Sequence, residues 1–192
     1  MALSGAGLVI VEATAVEPRG RISWADLGLY NDATEAAFAT ALATVRRWSP
    51  AKIGVQLAHA GRKASTLKPW EGGGGPLPAG DPRAWITRAP SALPYAESDP
   101  IPEALDDAGI EQIVQAFVDS ATRAVRLGLD LIEIHAAHGY LLHEFLSPLS
   151  NRRSDAYGGS LENRTRLVLE VFDAVKAVVP ESRALGIRIS AT

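Results

Sequence analysis

Four short runs along the chain are apolar at nearly every position: Gly7 to Glu12 (GLVIVE), Lys52 to Leu57 (KIGVQL), Gly128 to Ile134 (GLDLIEI) and Leu185 to Ser190 (LGIRIS). Their length and their Val, Ile and Leu content predict strands covered on both faces, as in parallel sheets. Between them the apolar period lengthens to that of a helix. Phe38, Leu42 and Val45 recur along a segment that Asp32 and Glu35 are expected to open as a capping box, running towards Arg47. From Asp107 to Leu127, Ile110, Ile113, Val114, Phe117, Ala121, Ala124 and Val125 form one stripe, and Gly128 stands where a C-terminal glycine belongs. Ser160 is placed to cap a last helix whose buried face is Leu167, Val171, Phe172, Val175 and Val178, with Pro180 just past its end.

Alternating strands and helices argue for right-handed βαβ units and an α/β fold. The strands echo each other: GLVIVE resembles GLDLIE, and Gly54-Val55-Gln56-Leu57 resembles Gly186-Ile187-Arg188-Ile189. The echo favours a TIM-type (β/α)8 barrel, with a doubly wound sheet as the alternative. A whole barrel takes about 250 residues and eight strands, whereas these 192 residues predict four. Residues 1–192 are therefore expected to form a single, partial barrel domain. The stretch 62–103 interrupts the alternation. It holds eight of the twelve prolines and the run Gly72 to Gly75, with no sustained period. Following the strand that ends at Leu57, it reads as a long irregular insertion beside the end of the sheet where barrel active sites lie, with little regular structure beyond a short hairpin. Its glycines are not a phosphate loop, because no Lys-Ser or Lys-Thr pair follows them.

Composition narrows the chemistry. With 19 basic and 22 acidic side chains the net charge is -3, which argues against nucleic acid as a partner. No apolar run approaches the roughly 18 to 20 residues that cross a bilayer, and the opening residues lack the basic start of a signal peptide, so a cytoplasmic protein away from membranes is expected. The chain has no cysteine, which removes disulfides, thiolate metal sites and a cysteine nucleophile.

Two strands carry a polar side chain that an ordinary core would not tolerate: Gln56 between Val55 and Leu57, and Arg188 between Ile187 and Ile189. Either they face a common concavity, with Arg188 offering a fixed cation and Gln56 a donor and an acceptor, or they make a structural ion pair with Glu12 or Glu133. The densest cluster is His135, His138 and Tyr140, directly after a strand. Imidazole N–H groups there could stabilise negative charge on an oxygen while the phenol delivers a proton. Inert core histidines are one alternative and a metal site another, but the third ligand would have to be His143, Glu144 or distant His59, at no standard zinc spacing. No metal is expected. A serine hydrolase is not indicated, since no Gly-x-Ser-x-Gly elbow is present.

The run IEIHAAHGYLLHEFLSPLSNRRSDAYGGSLENRTRLVLEV, Ile132 to Val171, resembles the signature stretch of the old yellow enzyme family, FMN-dependent NADH:flavin oxidoreductases built on a (β/α)8 barrel. GLVIVEATAVEPRGR (Gly7 to Arg21), QLAHAGRKA (Gln56 to Ala64), APSALP (Ala89 to Pro94) and Arg188 are similar to the same family. The resemblance implies that the chain corresponds to about strands 2 to 5 of the barrel. It implies FMN as cofactor, held by Ala13, Gln56 and Arg188, and NAD(P)H as reductant. His135 and His138 would bind the carbonyl or nitro oxygen of a small activated alkene, and Tyr140 would donate the proton after hydride transfer from flavin N5. The family's strand-one residues and distal phosphate loops have no counterpart here, so the complete protein is expected to be an ene-reductase and a homo-oligomer, and this portion alone inactive. The alternative is a truncated half barrel without catalysis, acting only as an associating module.

Overall fold

The computed structural model describes residues 2–191. In chain order its elements are β1 (Leu8–Ala15), α1 (Asp32–Trp48), β2 (Lys52–Ala58), β3 (Arg88–Ala89), β4 (Glu103–Ala104), α2 (Asp107–Arg126), β5 (Leu131–Ala136), α3 (Leu141–Leu146), α4 (Leu161–Val178) and β6 (Ala184–Ile189). The four expected strands form one sheet in the order β1-β2-β5-β6, and each pairing is parallel.

Period-two alternation divides the sheet into two faces. On the outer face Ile53, Val55, Leu57, Ile132 and Ile134 are buried, and they join one cluster with Ile113, Phe117 and Ala121 of α2 and Leu167, Val171 and Val175 of α4. Burying each large aliphatic or aromatic side chain contributes about 1.5–3 kcal/mol, so this layer holds the strands and fixes which residues face the other way.

The helix ends follow from local chemistry, with one correction. The capping box of α1 is Asn31 with Thr34, not Asp32 with Glu35: Thr34 N–H donates to Asn31 Oδ1 at 2.8 Å and Asn31 N–H to Thr34 Oγ1 at 3.2 Å. Asp32 and Glu35 lie in the first turn, where Glu35 accepts from both Arg123 and Arg126 of α2 and so ties the two helices together. At the end of α2, Gly128 N–H bonds Val125 O and Leu129 N–H bonds Ala124 O, with Gly128 at φ +68°. That reversal is the Schellman arrangement, which a side chain at Gly128 would strain. Ser160 caps α4 by accepting from Asn163 N–H.

β1 runs past Glu12, where its prediction stopped, because a bulge between Val11 and Ala13 shifts the register. One extra residue reverses the alternation. Ile10 pairs with Gly54, and Ala13, not Glu12, pairs with Gln56. Both Ile10 and Ala13 thus face inward.

The 62–103 segment contains no long helix. It makes short 3₁₀ turns and, instead of a hairpin, a parallel pairing of β3 with β4 across the connection 90–102. A hairpin needs a tight reversal, whereas here arginines hold the segment at intervals. Arg62 Nη1 donates to Leu93 O and Pro94 O, Arg153 Nη1 to Pro90 O, and Arg19 Nε to Ile86 O.

Candidate active site

The inner face carries the polar strand residues at its carboxyl end. Ala13 pairs with Gln56, Gln56 with Glu133, and His135 with Arg188, so Ala13, Gln56, His135 and Arg188 share one side of the sheet. Gln56 Nε2 donates to Glu133 Oε1 at 2.5 Å, and Arg188 Nε donates to the same oxygen at 3.1 Å. Glu133 is therefore the partner, and Glu12, the bulged residue with an exposed side chain, is not. The ion pair and the shared concavity are compatible, because one carboxylate orients the amide and the guanidinium side by side. Arg188 is not buried as its apolar neighbours suggested: its side chain is 48% exposed, since β6 lies at the sheet edge.

His135 is buried at the end of β5, with the ring centroids of His138 and Tyr140 each 5.0 Å away in edge-to-face arrangement. The backbone brings them together through His138 and Gly139, consecutive residues at φ +60° and +74°. A non-glycine residue in that region is uncommon and is kept only where its surroundings hold it. Here several groups do so. His138 N–H donates to Ser190 Oγ at 3.1 Å, Gly139 N–H to His143 Nδ1 at 2.8 Å, and Lys63 Nζ to His138 O at 3.0 Å. Ser190 and Lys63 were not singled out by sequence pattern, and His143 stood out only as a conceivable metal ligand. Their spacing carries no periodic signal, because their role is to bond one turn from three directions.

The electrostatics favour donors at this cluster. His135 Nδ1 accepts from Ala137 N–H at 3.2 Å, which leaves the ring proton on Nε2 and that N–H free to point at a ligand. Burial, aided by His138 and Arg188, lowers the His135 pKa to about 4, so the ring is neutral at ordinary pH. Burial and the charge of Asp26 raise the Tyr140 phenol above its usual value, which keeps it protonated. Within the described residues the Tyr140 hydroxyl has no hydrogen-bond partner.

The other two buried titratable side chains among the described residues, His59 and Glu144, are engaged in structure. His59 is buried, with Nε2 bonded to Glu17 Oε1 at 2.9 Å and Nδ1 accepting from Gly61 N–H. Glu144 is buried with Oε1 accepting from Arg62 N–H at 2.9 Å, and burial raises its pKa to about 8. Among the described residues no three His, Cys, Asp or Glu side chains are grouped to hold a metal, and no helix is long and apolar enough to cross a membrane.

The sequence matches the NADH:flavin oxidoreductase / NADH oxidase family over residues 2–192. The chain belongs to that family. Among curated relatives, the NADPH dehydrogenase of Geobacillus thermodenitrificans is 49% identical over 191 residues, covering 100% of this chain and 50% of its own. That of Bacillus subtilis is 45% identical, covering 100% and 51%. Among solved structures, morphinone reductase in complex with tetrahydroNAD aligns with a TM-score of 0.81 at 35% identity, covering 98% of this chain and 52% of the other. The Old Yellow Enzyme from Pichia sp. AKU4542 aligns at 0.80 and 32% identity, covering 95% and 46%. The chain spans about half the length of the curated relatives it matches. Its parallel sheet is accordingly part of an old yellow enzyme type (β/α)8 barrel.

FMN is the cofactor of the NADH:flavin oxidoreductases, and the inner face suits a flat heterocycle. Ala13 and Gly186 keep the floor low on either side of the Gln56–Glu133 row. Gln56 retains an amide oxygen beyond its bond to Glu133, and Arg188 has only Nε committed among the described residues. Together they offer an acceptor and a cation side by side.

Proposed function

We propose that the protein carrying this chain is an FMN-dependent NAD(P)H oxidoreductase that reduces small activated alkenes, enones or related compounds. The observation that carries the proposal is the convergence of His135, His138 and Tyr140 at the end of the sheet face that bears Ala13, Gln56 and Arg188. FMN, when bound and reduced by NAD(P)H, would supply the hydride taken up by the β-carbon of the alkene. Ala13 and Gln56 would hold the flavin ring, and Arg188 would supply the cation for the negative charge that reduction brings. His135 donates its Nε2–H to the activating oxygen, His138 binds the same oxygen, and together they stabilise the charge that develops there. Tyr140, held protonated by its burial, delivers a proton to the α-carbon.

Rapid-mixing kinetics on the full-length, FMN-loaded protein with Tyr140→Phe tests the assignment. Flavin reduction by NAD(P)H is expected to stay near the native rate, while the alkene step falls about a hundredfold, the usual size of a general-acid contribution. An unchanged alkene step overturns the role of Tyr140.

A further inference from the structure

Lys63 lies outside the set of groups proposed to meet substrate or flavin, yet it contacts two of them, His138 and Tyr140. Its ammonium donates to His138 O at 3.0 Å and sits 5.0 Å from the ring centroid of Tyr140. It also sits 5.0 Å from the ring of Tyr95, in the long insertion, while its stem passes so near Gly139 that a Cβ there would meet Lys63 Cδ at 3.6 Å. The carbonyl it grips belongs to His138, the non-glycine residue at φ +60°. Without that bond the strained turn has less to hold it, and Tyr140, two residues on, depends on the turn for its aim. The positive charge has a second consequence. A phenol that gives up its proton becomes an anion, and both its burial and the charge of Asp26 oppose that change. A cation over the ring favours it.

We infer that Lys63 is a positioning residue for the proton donor: it pins the His138–Gly139 turn and holds a positive charge against Tyr140 that stabilises the phenolate left after protonation of the substrate. The inference rests on the reading of Tyr140 as proton donor given above. It assigns the Gly61–Lys63 turn a part in the alkene step and none in flavin reduction.

Three variants of the full-length, FMN-loaded protein test it. Lys63→Met keeps the stem and loses both bond and charge, Lys63→Gln keeps a donor for the carbonyl without the charge, and Lys63→Arg keeps the charge. A unit charge about 5 Å from the ring predicts that the alkene step slows about tenfold in Lys63→Met and Lys63→Gln at saturating alkene, with flavin reduction unchanged. The solvent deuterium isotope effect on the alkene step is expected to rise in both, and Lys63→Arg to restore the native rate. Amide hydrogen exchange of residues 138–140, which requires no turnover, is expected to quicken in Lys63→Met and stay slow in Lys63→Gln. The inference is overturned if Lys63→Met keeps the native alkene rate within about twofold, if flavin reduction falls equally, or if Lys63→Arg gives no recovery. Tyr140→Phe in the same series separates the two claims. A slow Tyr140→Phe beside a fast Lys63→Met refutes only the part given to Lys63, whereas a fast Tyr140→Phe refutes the donor reading itself.

Discussion

At the scale of single residues, the protonation state of His135 decides what the site can do. Its Nδ1 is occupied by the Ala137 N–H and its pKa is lowered to about 4, so the ring is a neutral Nε2–H donor through the range where the unfolded chain's histidine would titrate. Nitrogen-15 NMR of the ring should show that tautomer unchanged from about pH 8 down to about pH 5, with protonation only near pH 4. A ring that titrates near 6.5 contradicts the assignment. Since the folded pKa lies below the unfolded one, His135 lowers stability as pH falls from about 6.5 towards 4, where the unfolded form takes up a proton that the folded form refuses. In the FMN-loaded protein, His135→Ala or His138→Ala should slow the alkene step about a hundredfold or more, the loss expected when a donor to developing negative charge is removed. Single-turnover rates check this, and full activity in both variants restores the reading of inert core histidines.

Between elements, α3 grips the Gly61–Lys63 turn through Glu144, and that contact carries a pH dependence of the opposite sign. Gly61 lies so close that a Cβ there would sit 2.2 Å from Glu144 Oε1, so only glycine fits. Glu144 has its pKa raised from 4.5 to about 8. Between those values the folded chain holds a proton that the unfolded chain has released, so this carboxyl's contribution to stability declines as pH rises through that window and is flat above it. Glu144→Gln keeps the shape and removes the titration. Urea unfolding at about pH 5 and pH 8 should show native stability falling by several kcal/mol more than that of Glu144→Gln, at about 1.4 kcal/mol per pH unit. Equal pH dependence in the two proteins defeats this account. Regular elements of this kind were legible in the sequence wherever periodicity governed them: all four main strands, and the buried stripe of α2 from Ile110 to Ala124. The cap of α1 was misread because Asp32 and Glu35 match a capping pattern while long-range bonds to Arg123 and Arg126 claim Glu35. The bulge at Glu12 left no local trace, since its cause is the register with β2. In the same way His135, His138 and Tyr140 stood out as a cluster, but Lys63 and Ser190, which bond the turn from distant segments, could be recognised only once the fold brought them there.

For the whole molecule, the open sheet sets a limit on what this half of the barrel does alone. Among the described residues the outer edge of β6 is unpaired and that of β1 is paired only at Ala15, which bonds Leu27 and Leu29, and Ile187 and Ile189 of β6 are 37% and 61% exposed. Under the proposed function, Ala13, Gln56 and Arg188, which share one face of the sheet, would give the flavin ring its floor and one cationic edge. The phosphate of FMN is a different demand, since it carries about two charges and needs several backbone N–H groups or an arginine to replace its hydration. In a complete barrel that site is built by the loops after strands seven and eight, whereas this chain covers about half the length of its relatives. We therefore expect the isolated 192-residue chain to bind FMN weakly and to leave gel filtration colourless, while the full-length protein emerges yellow with about one flavin per chain. The elution volume answers a second question in the same run, because an exposed parallel edge is a template for pairing, and the isolated chain should elute as a dimer or larger species. A monomeric, yellow 192-residue chain with stoichiometric flavin would show instead that the half barrel holds the whole cofactor and closes its own edges, and the division of ring and phosphate between two halves of the barrel would be wrong.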